Sequence, residues 1–159
     1  GVSTMSLTAR IAAALLMLAP CAAQAAPSVH YPVEGALAPG AVAPGAGPAF
    51  SGAVQAGNTI YVAGMTDSDP VTNVISPDPK TAARIVLTKI QNQLQKTGLT
   101  MDDLVWVQIF AVDLKEYAAF NEVYRAFFKG PLPARAFLGT NALLGGAHFE
   151  VMGIAVKAQ

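Results

Sequence analysis

Two segments of this chain carry the apolar period of an α-helix, and their small number constrains the fold more than any other feature. In Pro79–Thr97 the apolar residues fall four and three positions apart, and proline suits the first turn of a helix. After Asp113, which is placed to cap a helix with Glu116 three residues later, aromatic residues repeat with a helical period. The two stripes consist of Ala83, Leu87, Ile90 and Leu94, and of Tyr117, Phe120, Tyr124 and Phe127. Two helices can cover only one face of a sheet, so an α+β layer architecture is predicted.

The rest of the ordered chain is predicted to be strands. Five runs rich in β-branched and aromatic residues are Phe50–Gln55, Thr59–Ala63, Val105–Val112, Ala134–Thr140 and Phe149–Val156. Ala56-Gly57-Asn58 has the composition of a hairpin turn. The order is therefore β-β-α-β-α-β-β, a mixed sheet with two helices on one face. The opposite face would be an apolar surface without cover, which predicts that further copies of the chain pack against it.

The N-terminus has the anatomy of a secretory signal peptide. Arg10 supplies a positive region, Ile11–Ala19 is an apolar run too short to span a bilayer, and Ala23-Gln24-Ala25 fits a cleavage site. Residues 1–25 are thus expected to be upstream residues and a leader that begins at Met5. Cleavage after Ala25 would give a periplasmic or secreted protein with no membrane attachment.

The mature chain is expected to have two parts and little net charge. Residues 26–48 form an arm rich in Pro, Gly and Ala, and residues 49–159 form the folded domain. The chain has 10 basic and 10 acidic residues, so loss of Arg10 with the leader leaves a net charge near −1. A patch basic enough to hold a phosphate backbone is hard to assemble from this composition, so nucleic-acid binding is disfavoured.

Two charged residues lie inside strand-like segments near the C-terminus. Arg135 lies among apolar residues and should share a strand face with Phe137, whereas Glu150 should share a face with Met152. Charged side chains are rarely buried unless they are paired or bind something. Two interpretations stay open: a structural ion pair, or a pocket in which arginine holds an anion while glutamate manages a proton or a water. His148 is a weaker candidate base, expected to be exposed or satisfied.

The succession of segments resembles the reactive-intermediate deaminase family (Rid, YjgF-like, endoribonuclease L-PSP). The resemblance covers about Pro44 to Val156, and its most diagnostic element is Pro133-Ala134-Arg135 followed by Glu150. The other matching pieces are Gly47 to Val54, Gly57-Asn58, Tyr61 to Gly64, Phe120-Asn121 through Tyr124 to Phe127-Phe128, and Ile154-Ala155. This resemblance implies a chorismate-mutase-like fold and a homotrimer with a pocket in each cleft between subunits.

The resemblance also implies roles for individual residues. Arg135 would bind the substrate carboxylate and Glu150 would position a water, with Asn121 of the second helix in the pocket. The Gly64 backbone and Phe137 would line it. The reaction implied is hydrolysis of a small enamine or imine to a 2-keto acid and ammonia, with neither metal nor organic cofactor.

Several positions depart from the family pattern. The usual Gly-Pro-Tyr becomes Gly47-Pro48-Ala49-Phe50, the common Ser-Gly-Gln becomes Ala63-Gly64-Met65, and a frequent cysteine becomes Phe137. These changes predict a pocket that is more apolar and smaller, or shaped for another substrate, with Phe50 in its lining. They leave a non-catalytic binding protein for a small carboxylate or other metabolite as the alternative function. The ribonuclease activity attributed to some members is disfavoured by the charge and the leader.

Overall fold

The computed structural model describes residues 27–33 and 47–158. The signal-peptide prediction lies outside the described residues. The helices and strands are β1 Val29–Tyr31, β2 Ala53–Ala56, β3 Thr59–Thr66, α1 Pro79–Lys96, β4 Leu104–Ala111, α2 Tyr117–Arg125, β5 Ala134–Gly139 and β6 Phe149–Val156.

The strands form one mixed sheet in the order β1-β2-β3-β6-β4-β5. Only β4 and β5 run parallel, and they are the two strands that α2 connects. The other neighbours are antiparallel. The predicted α+β class and element order are confirmed, with one addition. The predicted arm contains a sixth strand, β1, which pairs with β2 but has only three residues, too few to show a strand period in the sequence.

Local signals at the ends of α1 explain its limits. The Asp78 carboxylate accepts a hydrogen bond from the Thr81 amide at 2.9 Å, which caps the helix just before Pro79. After Lys96 the chain turns at Gly98, whose φ of 80° favours glycine. The predicted apolar stripe is buried against the sheet along the whole helix.

The start of α2 differs from the prediction. Asp113 does act as a cap, but it caps a short 3₁₀ turn that precedes α2. Its carboxylate accepts a hydrogen bond from the Lys115 amide at 2.9 Å. Glu116 does not close a capping box, because its carboxylate is bound to His148 Nδ1 at 2.8 Å. This hydrogen bond gives His148 a partner, in agreement with the expectation of a satisfied histidine.

The two faces of the sheet have different environments. Val107, Ile109 and Val151 point toward the helices and are almost fully buried. On the other face Tyr61 is 51% exposed, Trp106 37% and Leu138 43%. Among the described residues, the face without helices is therefore apolar and open, as the strand pattern predicts.

Candidate active site

The register of the sheet places Arg135 and Glu150 on opposite faces. Strand β4 lies between β5 and β6, with Arg135 beside Val107 and Glu150 beside Phe110. Val107 points toward the helices, and Phe110, three residues further, points to the open face. One chain therefore does not pair these two charges, and the ion-pair interpretation is wrong within the chain. The reason is that their partners on β4 are three residues apart, and residues an odd number of positions apart on a strand point to opposite faces.

Arg135 lies on the aromatic surface of α2. Its guanidinium carbon is 4.6 Å from the ring centre of Tyr124, and Nη2 donates to the Tyr117 hydroxyl at 3.4 Å. The Phe137 ring centre lies 5.8 Å from the guanidinium and is held edge-on by Phe120. A pocket of about 130 Å³, the arginine pocket, is lined by Asn121, Tyr124, Arg125, Leu132, Pro133 and Arg135. Three predicted site residues, Asn121, Arg135 and Phe137, thus come together.

The electrostatics of the arginine pocket suit an anion. Among the described residues, the carboxylates of Glu122 and Glu116 contact Lys80 and His148, and no carboxylate there neutralises Arg135. The guanidinium of arginine is planar, and its N–H fork matches the two oxygens of a carboxylate.

Two tyrosines near Arg135 were missed as site residues, because their spacing also fits a core stripe. Tyr124 is buried, its hydroxyl has no hydrogen-bond partner in the part of the chain that the structure describes, and burial raises its pKa to about 12. Tyr117 is exposed, and a hydrogen bond from Asn121 and then the charge of Arg135 lower its pKa. Tyr117 lies four residues before Asn121, and Tyr124 lies three residues after it. This spacing is the signal that would place all three on one helix face.

Glu150 lies in a separate and larger space. This cleft of about 760 Å³, the glutamate cleft, also brings together the predicted residues Gly64 and Phe50. Its remaining lining residues are Val33, Pro48, Ala63, Met65, Thr66, Ser68, Pro70, Asn73, Lys89 and Leu144. The predicted site residues are therefore divided into two groups, each in its own pocket, within one chain.

The position of Glu150 is fixed by neighbouring strands and by α1. The register of β3 shifts between Val62 and Met65, and Gly64 within this bulge lies directly under the Glu150 carboxylate. Lys89 of α1 donates to the carbonyl of Thr66 at 2.9 Å and ties the helix to the end of β3. Lys89 was also missed as a cleft residue, because the sequence places it on α1 without showing how far its side chain reaches.

A buried carboxylate holds the start of β6. Asp67 is fully buried and accepts a hydrogen bond from the Phe149 amide at 2.8 Å, one residue before Glu150.

Within the described ranges, no group of three or more His, Cys, Asp and Glu residues could hold a metal ion. No described helix is long and apolar enough to cross a membrane.

Comparison with known proteins identifies the family of this chain. The family model described as endoribonuclease L-PSP matches residues 40–157. The chain belongs to the endoribonuclease L-PSP family. A relative from Dermatophagoides farinae named 2-iminobutanoate/2-iminopropanoate deaminase is 33% identical over 108 residues, 67% of this chain and 84% of the relative. The resemblance to the reactive-intermediate deaminases is thereby confirmed.

Solved structures of endoribonuclease L-PSP family members have the same fold. RidA from the Antarctic bacterium Psychrobacter sp. PAMC 21119 is 32% identical, with a TM-score of 0.66 over 69% of this chain and 89% of that one. The Escherichia coli protein TdcF with bound serine is 28% identical, with a TM-score of 0.66 over 76% of this chain and 94% of that one. The mixed sheet with two helices is therefore the architecture of the family.

Replacement of Gly64 with alanine should lower turnover in this family member without unfolding it. The added Cβ would collide with Glu150 Oε1 and would lie 3.3 Å from Met152 Cε. Both contacts are the ends of flexible side chains, so the carboxylate moves rather than the backbone. If Glu150 acts on the substrate, as the resemblance implies, kcat should fall roughly ten- to hundredfold, because a small misplacement of a reacting group is costly.

The measurement is kcat together with the thermal unfolding midpoint. Gly130→Ala is the matched control, since its Cβ would come no closer than 3.8 Å to Asp102 Oδ1. Equal kcat values for both variants would show that the contact between Gly64 and Glu150 has no catalytic importance.

Proposed function

We propose that this chain hydrolyses small enamine or imine intermediates to 2-keto acids and ammonia, at a site shared between two copies of the chain. Arg135 of one subunit clamps the substrate carboxylate, and Glu150 of the partner subunit activates the water. The observation that carries the proposal is the Arg135 guanidinium, whose carbon lies 4.6 Å from the Tyr124 ring centre and which has no carboxylate partner among the described residues.

The separation of the two pockets supports a shared site. Arg135 lies on the edge strand β5 and faces the helices, whereas Glu150 lies near the sheet centre on the other face. A second chain can bring its glutamate cleft to the arginine pocket of the first. The open apolar face, which includes Tyr61, Trp106 and Leu138, is the surface that such an assembly would cover. Cyclic symmetry closes this contact, and we propose three subunits.

The reaction requires the protein mainly to position the substrate and the water. The imine carbon of a 2-imino acid is electrophilic, and water adds to it when a base accepts one of the water protons. Glu150 can take that proton and return it to the nitrogen, which gives a carbinolamine. The carboxylate then moves the hydroxyl proton of the carbinolamine to the same nitrogen, the C–N bond breaks, ammonia leaves and the C=O bond of the keto acid forms. An enamine first takes up a proton at carbon to become the imine.

The relatives support the substrate class. The Dermatophagoides farinae relative is named for deamination of 2-iminobutanoate and 2-iminopropanoate. The Escherichia coli TdcF structure contains serine, which carries a carboxylate next to an amine-bearing carbon. All three molecules carry a carboxylate, which Arg135 is proposed to contact, next to a carbon that bears nitrogen.

The test is a deaminase assay on the protein without residues 1–25. Imino acids are generated freshly by an amino-acid oxidase, and release of keto acid and ammonia is compared with spontaneous hydrolysis. We expect acceleration without any added metal or cofactor. If the Dermatophagoides farinae relative accelerates the reaction and this protein does not, the deaminase proposal is wrong.

A non-catalytic carboxylate-binding protein is the second candidate. Phe50 and Met65 give the glutamate cleft an apolar lining, which favours binding over proton transfer. Calorimetry with keto acids and aromatic carboxylates separates the two functions, because binding without turnover favours this candidate.

We also propose that the protein acts in the periplasm or outside the cell, which N-terminal sequencing of the exported chain would test.

A further inference from the structure

The hydroxyl of Tyr117 touches the proposed carboxylate clamp, and the mechanism above gives it no task. Arg135 Nη2 donates to this hydroxyl at 3.4 Å, and the guanidinium carbon is 5.7 Å from the Tyr117 ring centre. The ring itself is fixed edge-on against Phe137, at 5.0 Å and 88°. Tyr117 is 47% exposed, so its hydroxyl lies where a ligand on Arg135 can reach it. The hydrogen bond is long, and it can shorten when the oxygen gains charge.

The surroundings of Tyr117 favour a negative oxygen. The pKa of the phenol is held below its ordinary value of 10.0 by the hydrogen bond from Asn121, by the charge of Arg135 and, more weakly, by Arg125. The charged and titratable groups of the elements around Tyr117 are Asp113, Lys115, Glu116, Glu122, Tyr124, Arg125, Arg135 and His148, and Glu122 is paired with Lys80. Glu116 is bound to His148, and the nearest charge with a direct contact to the phenol is Arg135.

We propose that Tyr117 is a positioning residue for Arg135 and that its ionised form competes with the substrate carboxylate for the same guanidinium. The neutral phenol accepts one N–H and leaves the other guanidinium donors for a carboxylate. The phenolate carries a full negative charge, so two anions then compete for one set of donors. The inference rests on the proposed function, because it requires that Arg135 binds a carboxylate.

The competition fixes the direction of the pH dependence. The phenolate forms as the pH rises through the pKa of Tyr117, so carboxylate affinity falls at alkaline pH. Linkage is reciprocal, and a bound carboxylate must raise the pKa of Tyr117 by the same factor. Replacement of Arg135 with a neutral side chain must also raise this pKa, because the guanidinium stabilises the phenolate.

The first test measures binding of 2-oxobutanoate by calorimetry at neutral and alkaline pH. We expect Tyr117→Phe to bind about three- to tenfold more weakly at neutral pH, since one positioning hydrogen bond is lost. Its affinity should stay constant as the pH rises, whereas the wild-type affinity should fall. Tyr31→Phe is the matched control, because the Tyr31 hydroxyl bonds to Gln55 on strand β2. This control should follow the wild type.

The second test follows tyrosinate absorbance against pH, with and without 2-oxobutanoate. The difference between wild type and Tyr117→Phe isolates the Tyr117 titration, and its midpoint should rise with ligand and in Arg135→Gln. If neither 2-oxobutanoate nor Arg135→Gln shifts the midpoint of the Tyr117 titration, the inference is overturned. A Tyr117→Phe variant whose affinity falls with pH as steeply as the wild type's would also overturn it. A wild-type protein that binds no 2-oxobutanoate at any pH would instead overturn the carboxylate site, and the inference with it.

Discussion

Substitution of Arg135 with lysine is expected to weaken carboxylate binding and to lower kcat/KM roughly a hundredfold, because one of two charge-assisted hydrogen bonds and the planar geometry are lost. Lysine keeps the positive charge, so the electrostatic attraction to the substrate remains. What it cannot reproduce is the planar guanidinium fork, whose carbon lies 4.6 Å from the Tyr124 ring centre and whose N–H groups can bind a carboxylate through two hydrogen bonds.

Isothermal titration with 2-oxobutanoate and steady-state kinetics check this result. Arg84→Lys is the matched control, because Arg84 is an exposed residue of α1 that lines neither the arginine pocket nor the glutamate cleft. The unfolding midpoint should be the same in both variants. Unchanged affinity in Arg135→Lys would assign Arg135 a structural role.

Substitution of Glu150 with glutamine should give the opposite kinetic pattern. The amide is nearly the same size as the carboxylate, so the cleft keeps its shape and ligand binding persists. An amide cannot accept a proton from water, and kcat should fall by about 10²–10⁴, the usual contribution of a positioned acid–base group. The kcat decrease with a nearly unchanged KM separates this role from substrate binding.

Glu122→Gln provides the control for Glu150→Gln. Glu122 is an exposed glutamate of α2, paired with Lys80 at 2.6 Å, and it lines neither pocket. Its removal should leave kcat unchanged. Full turnover by Glu150→Gln would mean that another group handles the water proton.

The helices and most strands could be predicted from periodicity alone. Strand β6 begins and ends at the predicted residues, and the apolar stripe of α1 is buried as its spacing indicates. Strand β1 could not be predicted, because three residues show no period and its stability comes from pairing with β2. The partner of Glu116 was also hidden, since His148 is 32 residues away in the chain.

The relation between the site residues shows where sequence patterns stop. Alternation within each strand places Arg135 with Phe137 and Glu150 with Met152, and the register supports both pairings. The alternation does not show whether Arg135 and Glu150 lie on the same face of the sheet. That depends on the register between the strands, which tertiary packing fixes. The close approach of Gly64 to Glu150 depends on the bulge in β3, and the contact of Tyr117 with Arg135 depends on the crossover through α2.

The shared site is tested most directly by mixing the two inactive variants. Arg135→Lys and Glu150→Gln chains, each with a different affinity tag, are co-expressed, and assemblies that contain both are purified. In a cyclic trimer of mixed composition one interface of three combines an intact Arg135 with an intact Glu150, so activity should recover to about a third of the wild-type value. Activity that stays at the level of the two parent variants would contradict a site built from two chains.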